Sequence, residues 1–195
     1  LDIPVMDSDI TELHVCPDCA REDIAAYERP YLHTVHHLPG VRMCPKHHRV
    51  LMRVQIEPDD WERGLDDGSM VPVELRADET TEQRISEFMR KLYECPPDLD
   101  LNGLQAMILA RMGEGGYPLE SPYGNLADDL WTAGYAGLFA GKTDVRVFKV
   151  LSQKKIVPED AIALLLFLFH DYEDFQKAAL KVQTDDTGTL AELFP

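Results

Sequence analysis

No stretch of this sequence is long and apolar enough to cross a bilayer. The longest apolar run, Ala161–Phe169, is nine residues, against the roughly 20 that a spanning helix needs. Basic residues are scarce: 19 Lys and Arg stand against 35 Asp and Glu, a net charge of −16. An acidic body repels phosphate, which excludes broad non-specific wrapping of nucleic acid. Cysteine is sparse too, four in 195 residues, which excludes a disulfide-stapled mini-fold. A chain of this length instead buries roughly 70% of its unfolded surface in an ordinary core, as one domain or two small ones.

Several enzyme signatures are also missing. There is no Gly-x-Ser-x-Gly, no Walker motif and no dinucleotide fingerprint. The glycines around Glu114 (Gly113, Gly115 and Gly116) follow a helical pattern and do not open one, so they read as a helix stop. The opening Leu1-Asp2-Ile3-Pro4 has neither the basic nor the apolar region of a signal peptide and no initiator Met. It reads as a piece of a longer protein that stays in the reducing cytoplasm, where closely spaced cysteines more often bind metal than pair with each other.

The metal pattern is the strongest signal present. Cys16 and Cys19 form a C-x2-C pair in Cys-Pro-Asp-Cys, and Cys44 and His47 form a C-x2-H pair in Cys-Pro-Lys-His, 24 residues on. Each knuckle presents two ligands from one tight turn, which suits a single tetrahedral zinc ion. Three thiolates and one imidazole leave no position for water, so the expected role is structural. His48 rivals His47 as the fourth ligand, since C-x3-H spacing also occurs. Cys95, alone in Glu-Cys-Pro-Pro, reads as an unliganded thiol. His33, His36 and His37 lie between the pairs and are expected to pack and hydrogen-bond around the ion. A zinc deaminase needs a His-x-Glu element before Pro-Cys-x-x-Cys, and no His-x-Glu occurs.

The remaining chain reads as mainly α: a zinc-knuckle module with little β at residues 1–55, an acidic connector at 56–80 and a helical bundle at 81–195. Residues 51–100 carry −8 of the net charge. Within 56–82, ten acids oppose only Arg63 and Arg76, the composition of a solvated connector on which Trp61, Met70, Val71 and Val73 are left to dock. Beyond it, spacings of three and four predict helix faces: Ile85, Phe88, Met89 and Leu92, with Thr80 or Thr81 as N-cap; Leu101, Leu104, Met107, Ile108 and Met112; Leu126, Leu130, Trp131, Tyr135 and Leu138, closed by Gly141; and Val145, Phe148 and Leu151. Pro158 opens a further helix, whose all-round apolar run makes it the expected centre of the bundle. Phe175, Ala179 and Val182 suggest a last one.

The order of short motifs in residues 14–51 resembles the TniQ/TnsD family of transposon target-site selectors: Cys-Pro-Asp-Cys at 16–19, Glu22-Asp23, Pro30-Tyr31-Leu32-His33, His36-His37-Leu38-Pro39-Gly40-Val41 and Cys44-Pro45-Lys46-His47. Leu32 stands where the family has Trp and His37 where it has Gln. His48 takes the place of a Gly that often follows the ligand His, and Glu28 stands where Gly is common. The helix-turn-helix segment that commonly precedes the zinc module does not occur here. The resemblance implies a non-catalytic protein of DNA recombination. Such proteins link target DNA, or a guide-RNA complex on it, to an AAA-type transposition regulator. A local basic cluster, Lys142, Arg146, Lys149, Lys154 and Lys155, opposed only by Asp144, is the candidate phosphate contact. Arg42, Lys46, Arg49 and Arg53 bracket the second knuckle. The alternative reading is a zinc-stabilised protein-interaction module with no DNA contact, to which the net acidity would draw basic partners.

Overall fold

The computed structural model describes residues 12–55, 70–119, 123–139, 143–152 and 158–185. The chain divides into two compact units, Asp2–Tyr93 and Glu94–Pro195.

In the first unit, β1 (Glu12–Val15) leads directly into α1 (Pro17–Tyr27), and a 3-10 turn (Thr34–His37) precedes β2 (Met52–Gln55), β3 (Val71–Pro72) and α2 (Glu79–Glu94). The strands form one antiparallel sheet in the order β1-β2-β3, with Leu13 opposite Val54 and Arg53 opposite both His14 and Val71. One face is apolar: Val15, Ala20 and Val54 are buried together, with Met70 packed against them. Met70 thus docks as the sequence allows, while Val71 is half exposed and Trp61 lies outside the described residues.

Pro17 at the first helical position fits the start of α1, because its missing N–H would have no intrahelical partner there. α1 ends with Glu28 in the left-handed conformation, φ 65°. α2 buries Ile85, Phe88, Met89 and Leu92, the face that the spacing predicts. Its cap is Asp78, not Thr80 or Thr81: the Asp78 carboxylate accepts the Thr81 backbone N–H at 3.1 Å and the Thr81 hydroxyl at 2.8 Å. An ionised carboxylate at the positive helix end outcompetes a hydroxyl for that position.

Among the described residues of the second unit the regular elements are all helical: α3 (Leu101–Glu114), α4 (Gly124–Thr132), a 3-10 turn (Ala136–Leu138), α5 (Thr143–Ser152), α6 (Pro158–Leu168) and α7 (Tyr172–Asp185). Asp100 caps α3 by accepting the Gly103 N–H at 2.7 Å, and the chain leaves α3 through Gly116 at φ 76°. Helix α6 is central, packing on α3, α5 and the second 3-10 turn. Ala161 through Leu166 are all buried on it, each leucine contributing about 2 kcal/mol by burial. α7 closes the unit against α3, with Phe175 and Ala179 fully buried.

Two predicted faces differ. Leu126, Leu130, Tyr135 and Leu138 are buried, but Trp131 is 75% exposed: it follows Leu130 by one residue and so points about 100° away from it. In α5 the buried residues are Val147 and Val150, whereas Val145 and Phe148 are nearly half exposed. This short helix is apolar at five positions, and packing against α4 and α6 chose the other face. Gly141 lies outside the described residues.

Candidate metal centre

The two knuckles are built by different local devices. Cys16 is the N-cap of α1 and Cys19 sits one turn in, with Ala20 N–H donating to Cys16 C=O at 3.0 Å. This places both sulfurs at the positive end of a helix, which favours thiolate. The second knuckle is a tight loop closed by three backbone bonds. Leu51 N–H donates to Arg42 C=O at 2.8 Å, Cys44 N–H to Arg49 C=O at 2.7 Å and His48 N–H to Cys44 C=O at 2.9 Å. The His47 N–H points back at Cys44 Sγ, 3.4 Å away.

Because β1 and β2 pair, the two knuckles converge. The Sγ atoms of Cys16, Cys19 and Cys44 and a ring nitrogen of His47 all lie within 4.8 Å of one another. His47 Nδ1 is 3.5 Å from Cys16 Sγ, 3.3 Å from Cys19 Sγ and 3.7 Å from Cys44 Sγ, and the last two sulfurs are 3.7 Å apart. Tetrahedral zinc bonds of about 2.3 Å to sulfur and 2.05 Å to nitrogen would set S···S near ~3.8 Å and S···N near ~3.6 Å. The cluster therefore has the dimensions of a four-coordinate metal cage. All three cysteines are buried.

The electrostatics point the same way. Cys16 is driven well below the ordinary thiol range, chiefly by its contact with Cys19 and then Cys44. Cys19 is driven far up, first by its contact with Cys16, and Cys44 is also raised, first by Cys16. Three adjoining thiols hinder one another's ionisation, and a divalent cation is what would let all three ionise together.

The surroundings orient the ligands. With Nδ1 facing the sulfurs, His47 presents Nε2–H to Glu22 Oε1 at 3.0 Å, and Lys46 also contacts the Glu22 carboxylate. Lys46, then His47, hold that carboxylate below its usual range. His36 is almost fully buried, with Nε2 3.8 Å from Cys19 Sγ. Burial first, and then the charge of His33, push its imidazole down to about 4. His33 Nε2 meets Asp23 Oδ2 at 2.9 Å, and the same oxygen accepts the Tyr31 N–H at 3.1 Å. His37 stacks on His14, ring centroids 6.0 Å apart, and burial pushes it down to about 4. Of the histidines between the knuckles, His36 thus touches the centre, His33 packs on His36 with ring centroids 5.1 Å apart, and His37 packs on His14. Glu22 as partner of His47 is what sequence reasoning missed; its position three residues after Cys19, on the same helix face, was the available signal.

His48 is outside the cage. Its backbone is left-handed, φ 52°, and its Nε2 lies 3.7 Å from Glu87. Cys95 is exposed. Three of the four cations bracketing the knuckle are engaged by acids: Arg49 with Asp18 at 3.0 Å, Lys46 with Glu22, and Arg42 Nη1 3.9 Å from Glu82. Of the second basic cluster, Arg146 donates to the buried Asp160 at 3.1 Å and Lys149 is half-buried on α5. Lys142, Lys154 and Lys155 lie outside the described residues. No helix among the described residues is long and apolar enough to cross a membrane.

Neither the curated proteins nor the solved structures contain a match to this chain. A family model does match: TniQ, over residues 2–51. All four candidate donors fall inside that stretch, so the segment that builds this centre is the part of the chain that is similar to TniQ.

Proposed function

We propose that this chain is a non-catalytic target-selection protein of transposition, acting in the cytoplasm and held together at its N-terminal unit by one structural zinc ion. The observation that carries the reading is the coincidence of the TniQ match with the Cys16, Cys19, Cys44 and His47 cage. The TniQ family is associated with selection of the transposition target site. Three sulfurs and one imidazole are a zinc donor set, and with all four positions filled by protein the ion has no place for a substrate or a water. Its chemistry is therefore to crosslink two knuckles. The finer role proposed is an adaptor that joins target DNA, or a guide-RNA complex on that DNA, to an AAA-type regulator.

Fluorescence anisotropy with labelled duplex DNA, at about 50 and 200 mM salt, tests the DNA contact. Binding that weakens steeply with salt, with a slope flattened by neutralising Lys149 and Lys154, supports it. No binding at either salt favours the second reading, a zinc-stabilised module that docks proteins only. That reading draws on the net charge of −16 and on the engagement of Arg42, Lys46, Arg49 and Arg146 by neighbouring acids. Visible spectra of the cobalt-substituted chain separate a closed three-sulfur site from an open, hydrolytic one.

A further inference from the structure

The second knuckle is bracketed by two contacts to α2. On its N-terminal side Arg42, two residues before Cys44, places Nη1 3.9 Å from Glu82 Oε2 and 2.8 Å from Gly40 C=O. On its C-terminal side His48, next to His47, reaches Glu87 at 3.7 Å. The two acids are of different kinds. Glu87 is 44% exposed and its pairing is screened by water. Glu82 is fully buried, and its Oε2 has no hydrogen-bond partner. Its other oxygen accepts the backbone N–H groups of Arg76 and Ala77 at 2.6 and 3.1 Å, fixing the turn that starts α2. A carboxylate in that position needs a nearby positive charge, and the Arg42 guanidinium supplies it from the metal loop.

The backbone carries the same connection. Arg42 C=O holds Leu51 N–H, and Leu51 C=O in turn accepts Val73 N–H at 2.9 Å, so the knuckle, the residue that leads into β2 and the segment leading to α2 are linked in series. We infer that metal occupancy of the Cys16, Cys19, Cys44 and His47 cage sets the docking of helix α2, with Glu82 as the coupling residue. An ion holds Cys44 and His47 in register, the register places Arg42, and Arg42 compensates the buried Glu82 charge. Without the ion, the loop loses its fixed geometry and the α2 N-terminus loses its counter-charge. By linkage the relation is reciprocal: whatever weakens the Glu82 contact weakens metal binding by the same factor. The inference rests on the metal reading above and not on DNA binding.

The test uses the full chain with Zn2+ alone as the probe. Hydrogen exchange of the α2 amides Ile85–Leu92 is followed with zinc bound and after chelation, and zinc affinity is read by competition with a chromogenic chelator. The expected result is at least about tenfold faster α2 exchange on chelation, and at least about fivefold weaker zinc binding in Glu82→Gln. Glu87→Gln, at the screened contact, should change zinc affinity less than twofold. If Glu82→Gln does not fold, Arg42→Lys, which keeps the charge and shortens its reach, serves in its place. The inference is overturned if chelation frees the knuckles while α2 exchange is unchanged, if neither variant alters zinc affinity, or if the folded chain takes up no zinc. Only the last of these also removes the structural-zinc proposal, and none bears on the DNA titration.

Discussion

Glu22 stands 3.0 Å from Nε2 of His47, on the side of the imidazole ring opposite the three cysteine sulfurs. One helix therefore supplies two metal donors, from Cys16 and Cys19, and also the carboxylate that orients a donor arriving from the other knuckle. The contact fixes the tautomer: Nε2 carries the hydrogen and Nδ1 faces the cage with its lone pair.

Removing that orientation should weaken the metal without abolishing the cage. Glu22→Gln keeps the shape and an acceptor oxygen but loses the charge, and zinc affinity is expected to fall by about tenfold. This is the low end for such partners, because Glu22 is half exposed. Chelator competition measures it; an unchanged affinity would show that the ring is held by the loop alone.

Loss of a sulfur should be far more severe. Cys16→Ser or Cys44→Ser is expected to release the metal and, with about 10 kcal/mol of metal-linked folding energy gone, to unfold at least the first unit. Metal analysis together with circular dichroism reads both effects. A variant that stays folded with one metal ion per chain would refute the ligand set.

Two residues are expected to be better as glycine. Glu28 and His48 are the non-glycine residues at positive φ among those described, at 65° and 52°. They are also the two positions where the resembling family favours glycine. A side chain there costs about 1–2 kcal/mol, partly offset by the greater freedom that glycine gives the unfolded chain. Glu28→Gly and His48→Gly should each stabilise the protein by about 0.5–1 kcal/mol, seen as a thermal midpoint about 1–4 °C higher. A lower midpoint for Glu28→Gly would mean that the side chain has a role beyond the cap.

Acid should destabilise the first unit in a definite window. Folded His36 and His37 take up protons only near pH 4, whereas in the unfolded chain they do so near 6.5. Between those values the unfolded state binds more protons, so stability falls as pH drops from about 6.5 toward 4 and is fully retained above 6.5. His37→Gln removes one of the two groups and should flatten the decline. Thermal midpoints at pH 7, 6, 5 and 4 give the comparison; parallel curves for variant and parent would show that His37 does not titrate as its burial requires.

Much of this was written into the linear order of residues. The Cys-x2-Cys and Cys-x2-His spacings single out three cysteines as candidate donors, because a short turn presents two ligands to the same ion, and leave His47 and His48 as rivals for the fourth position. The spacings of Ile85 to Leu92 and of Leu104 to Met112 name the buried faces, because a helix repeats every 3.6 residues. Pro158 and the apolar run behind it name the central helix. Where the pattern was degenerate, it could not choose. Helix α5 is apolar on two faces, and only its neighbours decide that Val147 and Val150 go inside while Val145 and Phe148 stay out. Trp131 is hydrophobic in composition yet exposed, since it sits one residue past the last buried position of its helix.

What the sequence by itself determined, then, is local chemistry: two metal knuckles, a set of amphipathic helices, an acidic surface. What only the tertiary structure decided is which distant groups share a charge. His47 over His48, Glu22 behind His47, Asp78 as the cap of α2 and Arg42 opposite the buried Glu82 all depend on distances between segments far apart in the chain. Electrostatic and metal-ligand energies vary steeply over an ångström, and residue spacing along a chain specifies such distances only within a turn or a helix.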